Sequence, residues 1–193
     1  MKPTRIIFVC AALAAAALVF GCARPPTDEM NQAAEAVARA ENDINAVTYA
    51  ANLLARARDS LSRMYAEADA RRFDSARNLA AEAQDAALRA IEEGHAGAAR
   101  ARDAAAALVS DLRPLIAETE RGINAAKAAD LYLDYDALGR DFDAARYNAD
   151  QAQINLAAGL IDEADERARA ARSGLNGINN ALSAAALAVG RGK

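Results

Sequence analysis

Carboxylates and aromatic rings crowd together in Asp130-Leu131-Tyr132-Leu133-Asp134-Tyr135-Asp136-Ala137-Leu138-Gly139-Arg140-Asp141-Phe142-Asp143. Spaced acids followed by a glycine are the material of a calcium loop, which needs oxygen ligands at alternate positions and a glycine at the sixth. Counted from Asp134, Asp136 takes the third place and Gly139 the sixth, yet Leu138 and Ala145 occupy the fifth and twelfth places, where oxygens are required. Asp134 and Asp136 are therefore the nearest approach to metal ligands, and no metal is expected on them. The stretch reads instead as a solvated helix end near Leu138-Gly139, after which Asp141 caps a new helix opened by Phe142. His95 is the only histidine, so histidine pairs for zinc or for acid-base work are ruled out. Between Gly94 and Gly97 it reads as an exposed turn or capping residue. The serines have no glycine-rich elbow around them, and no phosphate-cradling loop is present. No enzymatic activity and no cofactor are expected.

The remaining reactive side chain is a thiol, and its surroundings are those of an address. Lys2 and Arg5 precede an apolar stretch from Ile6 to Phe20, the n-region and h-region of an export signal. The stretch is short of the roughly 20 apolar residues that a spanning helix needs. Val19-Phe20-Gly21-Cys22 resembles the lipobox of bacterial lipoproteins. The resemblance implies that residues 1–21 are removed and that Cys22, acylated with a diacylglyceryl group, becomes the new N-terminus. An uncleaved signal anchor, or a secretory signal cut elsewhere, is the alternative. Each buried methylene contributes about 0.8 kcal/mol, so two or more chains hold firmly. By the same family's rule, Ala23 after the cysteine points to the outer membrane.

Removing the signal takes away Cys10, one of the 2 cysteines, together with Lys2 and Arg5. Cys22 is then the sole sulfur nucleophile and is blocked, so no disulfide is available. Acids outnumber bases, 27 to 23 before cleavage, and the two signs are interleaved. Nothing forms the one-sided basic stripe of a nucleic-acid binder. Aromatics make up 5% of the chain and tryptophan is absent, while alanine, the best helix former, dominates. An all-α chain follows, with a core too thin to wall off a deep pocket.

The expected architecture is an elongated antiparallel helical bundle of long hairpins. A tether at 22–27 leads into a first hairpin at 28–112, then a second hairpin with a C-terminal helix at 113–193, packed as one bundle. Asp28 to Ala70 contains neither Gly nor Pro and reads as one helix of roughly 60 Å. Its heptad seam runs through Met30, Val37, Ile44, Ala51, Arg58 and Tyr65, with Ala33, Ala40, Val47, Leu54, Leu61 and Ala68 between them. After a reversal at 70–74, a stripe of Ala76, Ala80, Ala83, Ala87, Ala90, Gly94, Gly97, Ala101, Ala104 and Leu108 allows close approach of helix axes. Its unbroken register favours continuity through both glycines. Pro114 suits the first turn of a new helix. Gly159 and the stretch from Gly174 to Gly177 mark breaks before an apolar tail, Ile178 to Val189, which reads as an intramolecular strap, with a dimer contact or a membrane-surface helix as alternatives.

Arg71, Phe73, Asp74, Ala76, Arg77, Ala80, Ala83 and Gln84 recur in order as Arg140, Phe142, Asp143, Ala145, Arg146, Ala149, Ala152 and Gln153, which marks an internal duplication. An aromatic followed by spaced alanines resembles the second helix of a tetratricopeptide repeat, although no period of about 34 residues is present. It also resembles the Ala-rich helical-hairpin lipoproteins of an uncharacterised bacterial envelope family. Phe73 and Phe142 read as plugs that close hairpin ends, against Tyr65 in one case and Tyr132 and Tyr135 in the other. Ligand stacking is the sharper alternative. The expected function is that of a lipid-anchored scaffold. Its partners are the membrane, through Cys22, and another envelope protein, with a homodimer possible and nucleic acid excluded. The alternative is a ligand-binding accessory module for a transporter, or a surface adhesin.

Overall fold

The computed structural model describes residues 24–191, so the signal and Cys22 lie outside the described residues. The helices are α1 (Thr27–Asn42), α2 (Ile44–Tyr49), α3 (Ala51–Asp69), α4 (Phe73–Ala128), α5 (Tyr135–Ala157) and α6 (Ile161–Arg191). Among the described residues there is no strand, and the protein is an all-α helical bundle. The chain divides into a first unit ending at Gly97 and a second beginning at Ala98.

The helices that end at Asp69, Ala128 and Ala157 share one terminator. Arg71 (φ 58°), Asp130 (φ 49°) and Gly159 (φ 79°) are left-handed. The next amide in each case reaches back to the third-last helical carbonyl: Arg72 to Glu67 at 2.9 Å, Leu131 to Ala126 at 3.1 Å, Leu160 to Asn155 at 2.9 Å. This is the Schellman pattern, which satisfies carbonyls that a helix end leaves orphaned.

The first unit is a three-helix bundle, and here the expectation of one helix from Asp28 to Ala70 is corrected. The chain turns back between Asn42 and Ala51. Asp43 leaves the helical region (φ −86°, ψ 111°) and its side chain accepts from the Ala46 amide at 2.9 Å, capping α2. The cross-helix ion pairs define the direction of each helix. Arg58 Nε meets Glu41 at 2.6 Å, which makes α1 and α3 antiparallel; Arg56 meets Glu82 at 3.4 Å, as in an α3–α4 hairpin; Arg77 Nε meets Glu29 at 3.1 Å, so α1 runs parallel to α4. The seam is right up to Ala40, and beyond it Leu54 is buried with Leu61 and Ala68 packed on the core as expected, but its other members slip by one residue. Ala46, Ala50, Ala57 and Met64 are buried, whereas Ile44 is 72% and Val47 42% exposed. Ala76, Ala80, Ala83, Ala87 and Ala90 line the facing stripe as expected.

Acid should weaken this unit. Glu29 is held below the usual carboxylate range by its own backbone amide and by Arg77; Asp43 by the Ala46 amide and then His95; Glu67 by the Arg72 guanidinium. With the folded-state pKa lowered, the unfolded chain binds more protons in that range, so these contacts contribute fully above the ordinary carboxylate pKa of about 4 and are lost as pH falls through the folded-state values. The urea midpoint is expected to be lower at pH about 3 than at pH about 6.

The second unit is also a three-helix bundle, built from α4 after Gly97, α5 and α6. Arg167 donates to Asn148 at 3.0 Å, and a Cβ on Gly174 would lie 3.3 Å from that of Ala145, so α5 and α6 are antiparallel. Leu112, Ile123, Phe142, Leu175, Ile178 and Leu182 form its core with alanines from all three helices. α4 runs unbroken through Gly94 and Gly97, and also through Pro114, where a new helix was expected. Pro114 is exposed, and on a solvent face water can satisfy the carbonyl whose partner amide is missing. Nor do Gly174 and Gly177 break α6. Ile178 and Leu182 are buried in the same core, so the start of the apolar tail packs within the unit as a strap would.

Thr119 is completely buried in α4, and its hydroxyl has no hydrogen-bond partner among the described residues. Removing an unsatisfied buried hydroxyl while keeping the branched shape is stabilising. Thr119→Val is expected to add about 1 kcal/mol, measured by thermal unfolding.

Candidate functional site

In the second unit the facing sides of α4 and α5 part to leave a half-open groove of about 690 Å³. Val109, Leu112 and Ile116 from α4 and Leu156 from α5 give it an apolar floor, while Ser110, Arg113, Asp150 and Gln153 supply polar atoms. The cause is a change of phase in α4. The stripe of small residues is buried as far as Gly97, but Ala104 is exposed and Ala105 is buried in its place. From there the inward positions are Leu108, Leu112, Leu115 and Ile116, larger residues of which Leu112 and Ile116 line the groove opposite Ala149 of α5. Large opposite small, with no ring to fill the flank, leaves the groove. A second furrow, also of about 690 Å³, shares Leu156 and continues over Ala99, Arg102 and Gly159. Elsewhere on the same unit Ile154 is 58% and Leu160 48% exposed.

The carboxylates at 130–143 are placed differently from expectation. α4 ends at Ala128 and α5 begins at Tyr135, so the helix end near Leu138-Gly139 and the cap by Asp141 are both corrected. Asp134 is the N-cap of α5, its Oδ1 accepting from the Ala137 amide at 2.9 Å, and Asp136 lies in the first turn. Both acids favourably meet the positive end of the helix dipole. A backbone that is helical from Tyr135 is not a looped calcium cradle, and among the described residues no group of acids, histidines and cysteines has the arrangement of a metal site. The missed signal was Asp130, a left-handed terminator without glycine.

The aromatic residues do not converge. Phe142 lies two turns inside α5 and is buried in the core with Arg146 5.9 Å from its ring centre, so it is a core residue and not a plug. Its counterpart Phe73 is half-buried at the first residue of α4, beside the turn, with Tyr65 partly exposed. The duplicated segments therefore share buried alanine positions but begin differently, since Arg71 is a turn residue and Arg140 a helical one. Tyr132 is fully exposed in the α4–α5 connection. Tyr135 is half-buried; its hydroxyl donates to the Leu131 carbonyl at 2.9 Å, and Lys127 Nζ lies 5.6 Å from the ring centre.

His95 is in the interior of α4 and not in a turn. Its Nε2 lies 2.9 Å from Asp43 Oδ2, joining the α1–α2 corner to α4. Arg72 pairs with Glu67, whereas Arg71, four residues after that acid, has left the helix. The pairs Asp59 with Arg63, Asp85 with Arg89 and Asp165 with Arg169 form as spaced, each an exposed helix support worth a few tenths of a kcal/mol.

These features define a class: an alanine-cored helical bundle with an open interhelical groove in its second unit. Comparison of the chain with protein-family models, with curated proteins and with solved structures finds no match.

Proposed function

We propose that the chain is a bacterial lipoprotein, anchored through an acylated Cys22 in the outer membrane, that works as a scaffold by holding another envelope protein. The anchor rests on the charged, apolar and Val19-Phe20-Gly21-Cys22 pattern of the leader and on the resemblance to lipoproteins. No helix among the described residues is long and apolar enough to cross a membrane. The observation that carries the scaffold reading is the groove between α4 and α5. It has an apolar floor and a partly charged lining, the two kinds of surface that an amphipathic helix laid into such a groove would cover together.

The test is a photoreactive side chain at Val109 or Gln153 in intact cells, with Asp143 as a control on an exposed position outside the groove. A crosslink to another envelope protein from the groove positions, lost on Leu156→Arg, is the expected result. Crosslinking equal to that at Asp143 would refute it, and a product containing two copies of the chain would replace the partner by a homodimer. The second reading, an accessory ligand-binding module or an adhesin, draws on the groove's volume, which falls in the range of small-molecule sites. Its half-open form favours a macromolecular occupant.

A further inference from the structure

Resting on the lipid-anchor reading, we infer that the α3–α4 turn of the first unit is the face this protein lays against the headgroups of its own bilayer. The ion pair of Glu29 with Arg77, at 3.1 Å, puts the start of α1 beside the start of α4. The α3–α4 turn, closed by Arg71 and by the Arg72–Glu67 pair, immediately precedes α4 and therefore lies at the same end. From Cys22 to Thr27 the chain spans at most about 18 Å, so an acylated Cys22 keeps this end close to the membrane. The opposite end, where Asp43 meets His95, is a full α1 away, about 24 Å for its 16 residues.

The residues at the near end suit a headgroup layer. Arg71 stands exposed at the tip of the turn in a left-handed conformation. Glu67 is engaged by Arg72 and Asp74 by Arg77, so two of the neighbouring acids are already met by cations. Tyr65, 46% exposed, and half-buried Phe73 add partly accessible rings, and rings with one wet edge settle at the boundary between headgroups and acyl chains. Arginine close to anionic lipid adds electrostatic attraction, and the combination supplements the acyl anchor.

The test uses the full mature chain acylated at Cys22, in vesicles of phosphatidylethanolamine with a minor share of phosphatidylglycerol, carrying a fluorophore on Ser75→Cys or on Thr48→Cys. Both positions are exposed, one at each end of the first unit. A headgroup spin label is expected to quench the probe at residue 75 several-fold more than the probe at residue 48, and Arg71→Glu is expected to reduce that difference. Equal or reversed quenching in an acylated chain overturns this inference alone. A mature chain without an acyl group at Cys22 by mass spectrometry overturns the anchor reading, and this inference with it.

Discussion

Replacing Gly94 with alanine is expected to destabilise the protein by about 2 kcal/mol, although the same change in an open helix interior stabilises. A Cβ at this position would lie 2.5 Å from the Ala46 nitrogen, 2.6 Å from the Asn45 carbonyl carbon and 2.7 Å from the Ala46 Cα. All three are backbone atoms, so no side chain can swing away. The α2 backbone lies directly on α4 there, and relief would require moving the corner that Asp43 caps and His95 bonds. Helix propensity favours alanine over glycine by about 1 kcal/mol, which offsets only part of the overpacking. Gly177 in α6 is the control, since nothing lies within 4 Å of its would-be Cβ. Gly177→Ala is expected to stabilise by about 0.5–1 kcal/mol. Urea unfolding of the two variants should therefore shift the midpoint in opposite directions.

Leu175→Ala is expected to cost about 3–4 kcal/mol. Leu175 is fully buried in α6, one of few bulky side chains so enclosed, in a core to which α4, α5 and α6 all contribute alanines. Alanine methyl groups fixed to a helix backbone have no rotamers with which to fill a void, so relaxation is limited and much of the cavity cost is felt. Leu187→Ala, on the same helix but 63% exposed, should stay within about 0.5 kcal/mol of the parent. Thermal unfolding of the two variants separates burial from any general effect of losing a leucine.

The helical class, the reversal after Ala70 and the inward stripe from Ala76 to Gly97 were legible in the sequence because each rests on local chemistry: alanine propensity, heptad spacing and small residues in register. The reversal between Asn42 and Ala51 was hidden because it uses neither Gly nor Pro. Asp43 makes the corner by capping α2, and the residues that permit it, Gly94 and Gly97, stand far away in sequence. Tyr49 lies against Gly97, 2.5 Å from a would-be Cβ, so these glycines are places where α2 presses on α4 and not merely members of a seam.

Helix ends misled for a related reason. Gly139 and Gly174 suggest breaks, yet each sits inside a helix, while Arg71 and Asp130 adopt the left-handed turn that glycine usually supplies. Tertiary context outweighs a cost of roughly 1–2 kcal/mol at such a residue. The groove followed from the phase change after Gly97, visible in sequence only as larger residues, Leu108, Val109, Leu112 and Ile116, succeeding the run of alanines. Which α5 residues would face them depended on where α5 begins, and that was set by Asp134.

An interior lined mainly with single methyl groups also shapes the response to temperature. The heat capacity of unfolding scales with the apolar surface released to water, and alanine releases little of it. The increment per residue should thus fall below the usual figure of about 12–15 cal/mol/K, and the free-energy curve flatten. A fold of this kind has a modest maximum, but it loses little of that on cooling or on moderate warming.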